Sequence, residues 1–184
     1  MLSVRKICKA YDKPVLADFS YDFPEKGLFL IRGASGCGKT TLLRILAGLE
    51  KQDQGEIHSK KDLKISCVFQ EPRLVPHLSV LENVLLVSKK RDKALAIRHL
   101  ALLGLEGDLE KFPDQLSGGM KLRVSIARSL YYGGDLYLWD EPTKELDPEN
   151  RGTVSKIIED LSKKACVVVV THDPLLSSKH EILF

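Results

Sequence analysis

Residues 33–40 read Gly33-Ala34-Ser35-Gly36-Cys37-Gly38-Lys39-Thr40, with Thr41 next. Three glycines in eight positions suit a loop that wraps a phosphate chain, because the backbone can turn its N–H groups inward without Cβ clashes. Lys39 adds a compact positive charge for the outer phosphates, and the Thr40 hydroxyl suits a Mg²⁺ ion. A second set lies far downstream, where Leu136-Tyr137-Leu138-Trp139 carries an apolar strand to Asp140 and Glu141. Asp140 suits the metal. Strand alternation would turn the Glu141 carboxylate away from it, free to polarise an attacking water as a base. A third set is Leu116-Ser117-Gly118-Gly119-Met120, in which Ser117 can cap a helix whose first amides two glycines leave open. Together these sets imply a nucleoside triphosphate as ligand.

The elements around these residues must place them at strand ends and helix starts. A short apolar strand at 27–32 precedes the glycine loop, and a helix at 41–47 follows it and ends at Gly48. The phosphates would then sit at a helix N-terminus, where unpaired N–H groups and the helix dipole favour anions. Alternating segments at 3–11 and 15–23, separated by Asp12-Lys13-Pro14, predict an antiparallel layer ahead of the loop. Short strands follow at 55–58 and 65–69. Helical spacing appears at 81–87 and 94–103, bracketed by Pro72, Pro76 and Pro113. The pattern then alternates: helix 118–131, strand 136–140, helix 149–163 and strand 166–170, whose continuous apolar run suits a strand buried on both faces. The expected fold is α/β, a P-loop NTPase core with an N-terminal antiparallel β layer and a helical insertion. It forms one domain over 1–184, with 1–71 and 113–184 as nucleotide-binding core and 72–112 as helical subdomain.

Composition narrows the class. The chain has 184 residues, with 28 Lys and Arg against 25 Asp and Glu, a net charge of +3 that is too mild to argue for nucleic acid. The basic runs Lys60-Lys61, Lys89-Lys90-Arg91 and Lys163-Lys164 read as solvated surface. No apolar stretch approaches the ~18 residues of a membrane span, and the N-terminus lacks a signal-peptide core. The four cysteines stand singly, without a C-x₂-C pair, and read as reduced thiols of a cytosolic protein. Any membrane role would come through a partner.

The ordered set of residues 33–40, Gln70, 116–120, 136–142, Leu146-Asp147 and His172 resembles the ATP-binding subunit of ATP-binding-cassette (ABC) transporters over nearly the whole chain. The resemblance implies ATP and Mg²⁺ as cofactors, Tyr11 stacked on adenine, and Gln70 sensing Mg²⁺ and the attacking water. It implies His172 against the γ-phosphate and Asp147 at a dimer interface. Ser117, Gly118 and Gly119 would grip the ATP held by the other subunit of a head-to-tail dimer. Residues 70–76 with Met120 resemble importers of the nitrate, taurine and sulfonate type. The implied partners are a transmembrane permease, a second copy in the ATP-bound state and an extracytoplasmic solute-binding protein, with no nucleic acid. The implied location is cytoplasmic, on the inner face of the membrane.

An ABC-type ATPase driving division-associated signalling, lipoprotein release or export is the alternative. Repair or translation ATPases would need a coiled coil or a second cassette, and a nucleotide kinase would leave residues 116–120 unexplained. His58, His77, His99 and His180 match nothing in the family. Lys144-Glu145 stand where small residues usually precede Leu-Asp, and Leu122 stands where Gln is common. Residues 181–184 read as a last edge strand, and with no family C-terminal helices after them, dimerisation would lean more on the permease.

Overall fold

Period-two burial and continuous apolar runs sort the strands into two sheets in the computed structural model, which describes residues 2–184. The first sheet has the order β2-β1-β4 and is antiparallel, built from β1 (Leu2–Ala10), β2 (Pro14–Phe23) and β4 (Gln54–Ser59). The second is parallel, in the order β5-β6-β7-β3-β8. Its strands are β3 (Gly27–Arg32), β5 (Ile65–Val68), β6 (Leu136–Asp140), β7 (Cys166–Val170) and β8 (His180–Leu183). The helices are α1 (Lys39–Leu46), α2 (Val80–Leu85), α3 (Lys93–Ala101), α4 (Gly118–Tyr132) and α5 (Pro148–Ser162).

Every residue of β6 and β7 is buried, as their apolar runs require of a strand covered on both faces. Alternate residues feed two cores. Leu28, Leu30, Tyr137, Trp139, Val167 and Val169 join α4 and α5 on one face. Phe29, Ile31, Leu136, Leu138, Val168 and Val170 join α1 and the antiparallel sheet on the other. Each such side chain stabilises the fold by roughly 1.5–3 kcal/mol of transfer free energy. This double cover fixes the register of the strand ends, and those ends carry the site.

Polar contacts then set α4 on the sheet. Ser129 Oγ accepts from Trp139 Nε1 at 3.0 Å and lies 2.7 Å from Ser66 Oγ, all buried. Helices α2 and α3 pack on α4. The segment after Gln70 is tied down from two sides. Arg128 donates to Pro72 O at 3.0 Å and to Arg73 O at 3.2 Å. The fully buried Asn83 donates to Val75 O and Leu78 O and accepts from Val75 N at 2.8 Å. The last strand begins one residue earlier than the sequence predicts, and the Phe184 N–H donates to Arg32 O at 2.9 Å, just past its end.

Candidate nucleotide site

Gly38 opens α1 in the left-handed region at φ 103°, without a side-chain cap. A Cβ there would lie 2.7 Å from the backbone oxygen of Val15, so strand β2 packs against the loop at the closeness that glycine allows. Lys39 is 7% exposed, and its ammonium donates to Gly33 O at 2.8 Å and Ala34 O at 2.7 Å. With those carbonyls occupied, the loop and the uncapped first turn of α1 offer N–H groups to an anion.

Asp140 ends β6, and its Oδ2 accepts from Thr40 Oγ1 at 2.6 Å. Burial pushes its carboxyl above the usual range, opposed by the Thr40 hydrogen bond and the Lys39 charge. Glu141 corrects the expectation from strand alternation. It has left the strand, with φ 51°, and its N–H donates to Val170 O at 2.9 Å. The left-handed residue breaks the strand alternation, and both acids line one cavity. Glu141 Oε1 lies 3.6 Å from His172 Nε2. The His172 loop is held by Arg32 at the end of β3, which donates to Leu176 O at 2.7 Å and Asp173 O at 3.3 Å. No sequence signal had singled out Arg32; its partners come from the end of the neighbouring strand.

A cavity of about 620 Å³ collects these groups. Its wall holds Ser35, Gly36, Gly38, Lys39, Thr40 and Thr41 from the loop and α1, together with Gln70, Asp140, Glu141 and His172 from the ends of three strands. Tyr11 closes one side with an exposed ring, its hydroxyl hydrogen-bonded to Glu50, and this bond raises its pKa above the ordinary value. Val15, Val170 and Lys144 also line the wall, and sequence reasoning had assigned none of them. Lys144 had been noted only as a departure from the family, with Glu145, where small residues usually precede Leu-Asp.

The remaining expected residues lie elsewhere. Gly33 and Cys37 sit within the loop but off the cavity wall, where a Cβ on Gly33 would meet Phe184 at 2.8 Å and Cys37 Sγ at 3.0 Å. Ser117 caps α4, accepting from Met120 N at 3.2 Å. A Cβ on Gly118 would lie 2.9 Å from Glu145 Oε2, and one on Gly119 3.1 Å from Glu145 O. Asp147 caps α5, accepting from the Asn150 N–H at 2.9 Å, a bond that holds its carboxyl below the usual range. None of these four lines the cavity of this single chain.

Residues 16–144 match the ABC transporter family, 70% of the chain. The chain belongs to that family. It is an ATP-binding cassette with the ATPase fold. The glutamate/aspartate import ATP-binding protein GltL of Escherichia coli is 37% identical over 94% of this cassette and 81% of its own length. The L-cystine import ATP-binding protein TcyC of Bacillus subtilis is 39% identical, with the same coverage. An aliphatic sulfonates import ATP-binding protein of Zymomonas mobilis is 41% identical over 86% of this cassette and 70% of its own. A dimeric bacterial ABC cassette, MJ0796, solved in a post-hydrolysis state bound to ADP and Pi, superposes with a TM-score of 0.91. It is 28% identical and covers 100% of this chain and 94% of its own. The α/β P-loop architecture expected from the sequence is the one observed.

The donor set suits the cofactors the family implies. The uncapped α1, the glycine loop and Lys39 fit a triphosphate. Among the described residues no group of three or more His, Cys, Asp or Glu is placed to hold a metal. Thr40, Asp140 and Gln70 bring oxygen donors to one cavity, which suits Mg²⁺, an ion that keeps water and phosphate ligands alongside one or two protein oxygens. Among the described residues, no helix is long and apolar enough to cross a membrane.

Proposed function

We propose that this cassette is the ATP-hydrolysing subunit of an importer for a small solute, working as a head-to-tail dimer around two Mg·ATP and driving a membrane permease from the cytoplasmic face. One observation carries the reading. Lys39, Thr40, Asp140, Glu141 and His172 converge on one cavity, in a chain whose relatives are named as import ATP-binding proteins.

In this reading the loop amides and Lys39 hold the phosphate chain, and the Tyr11 ring supports adenine. Thr40, Asp140 and Gln70 would hold Mg²⁺, which when bound neutralises phosphate charge and polarises the transferred group. Glu141 takes the proton of the attacking water at Oε1 or Oε2. His172 Nε2, beside Oε1, orients that carboxylate and lies next to the terminal phosphate. Ser117, Gly118 and Gly119 complete the partner's site, and Asp147 stands at the shared interface. Helices α2 and α3, which follow Gln70, transmit closure to the permease, and a solute-binding protein delivers the cargo outside.

Glu141→Gln tests the core of this reading. The variant is expected to bind Mg·ATP with near-native affinity while turnover falls about 10²–10⁴-fold, the usual contribution of a positioned base. Near-normal phosphate release would overturn the assignment. Purifying the same variant from gently solubilised membranes with Mg·ATP identifies the partner. A multi-span permease together with a solute-binding protein supports import, and a division or cell-wall regulator supports the non-import alternative.

A further inference from the structure

The turn after Glu141 carries a lysine that none of these roles uses. The Lys144 N–H donates to Glu141 O at 3.1 Å, closing the turn over Pro142 and Thr143, which are buried. The next residue, Glu145, is left-handed at φ 63°, and its carboxylate lies on Gly118, on the α4 side of the loop. Leu146, 5% exposed, anchors the chain beyond it. The backbone on both sides of Lys144 is thus held, and the exposed Lys144 forms part of the cavity wall with Lys39, Thr40, Asp140 and Glu141.

Among the described residues its ammonium makes no hydrogen bond or ion pair. Lys39, in contrast, is engaged with two loop carbonyls. The buried Asp140 is the acid on which the Lys144 charge acts. An unengaged cation on the wall of a phosphate cavity is placed for the most highly charged group that enters it. It also belongs to the turn that carries Glu141, closed by the Lys144 N–H on Glu141 O.

We propose that Lys144 is a second phosphate-contacting cation of this cassette, supplied in cis, and that it engages the terminal phosphoryl group of the bound triphosphate. The proposal rests on the nucleotide site described above and goes beyond it. Lys144 makes the cavity discriminate a triphosphate from a diphosphate, because the diphosphate lacks the group that Lys144 meets.

The test is equilibrium titration of the full chain with Mg·ATP and with Mg·ADP, for the native protein, Lys144→Ala, Lys144→Arg and Lys39→Ala. Lys144→Ala is expected to weaken ATP binding about tenfold, the loss of one charge-assisted contact, and ADP binding by less than about twofold. Lys144→Arg should keep the native ATP/ADP ratio within about threefold, since the charge and donor remain. An unchanged ratio in Lys144→Ala, or equal loss of both nucleotides, would overturn the role of Lys144. Lys39→Ala separates the two failures: native ATP affinity there would overturn the nucleotide site itself.

Discussion

Helices α1 and α4 both start beside glycines, yet their starts are built differently. The start of α1 has a left-handed Gly38 and no side-chain cap, and it opens into the cavity. The start of α4 has Ser117 in extended backbone, its hydroxyl capping Met120, with the Glu145 carboxylate lying over Gly118. The first leaves its amides without a side-chain partner, open to the cavity where an anion would satisfy them. The second is already served by a hydroxyl and shaded by an acid, so a lone chain can carry it at little cost. An orphan helix start costs stability until something binds; a capped one does not.

The comparison breaks most sharply at Gly38. Gly38→Ala puts a methyl 2.7 Å from a backbone oxygen at φ 103° and is expected to cost about 2–4 kcal/mol in urea unfolding. Asp140→Asn comes next. Burial raises the Asp140 carboxyl above its ordinary 3.8, so the folded chain holds this proton more tightly than the unfolded chain. Stability from this group is complete below the unfolded value and is lost as pH rises through the raised one. The neutral Asn removes that loss. Without nucleotide, the variant should melt a few degrees above the native protein at pH 8, lose its advantage near pH 4, and hydrolyse no ATP. Thermal melts across that range check it.

Glu145→Ala sharpens the other side. With the acid gone from the α4 start, the Glu141→Gln dimer with Mg·ATP should tighten about threefold to fivefold, read by sedimentation. Smallest is Gly118→Ala. Its methyl meets only the end of the flexible Glu145 side chain and its φ lies outside the left-handed region, so urea stability should stay within about 0.5 kcal/mol of native.

The fold was legible wherever burial leaves a period in the sequence. The apolar run of β7 announced a strand covered on both faces, and the helix spacing of 118–131 placed α4 to within a residue. The glycine loop was legible because its chemistry is local, confined to eight residues. Glu141 was not, since one left-handed residue reverses the direction of a side chain without changing composition or alternation. Lys144 stood out as a departure from the family, but nothing in its own residue type or spacing marked it as part of the cavity wall. Ser117, Gly118, Gly119 and Asp147 illustrate a different boundary. The Ser117 cap was readable, the Asp147 cap was not, and the roles across a dimer came only from the family resemblance.

The position of β3 has a consequence for how this protein comes into being. The strand that launches the glycine loop pairs with β7 on one side and β8 on the other, both drawn from residues 166–183. Long-range parallel pairing of this kind is slow, and synthesis runs at about 5–20 residues per second. The first site to be translated is therefore among the last to form. A nascent chain stalled before residue 166 carries the whole loop sequence but gives β3 neither of its parallel neighbours, so ribosome-bound fragments should retain no ATP until β7 and β8 emerge.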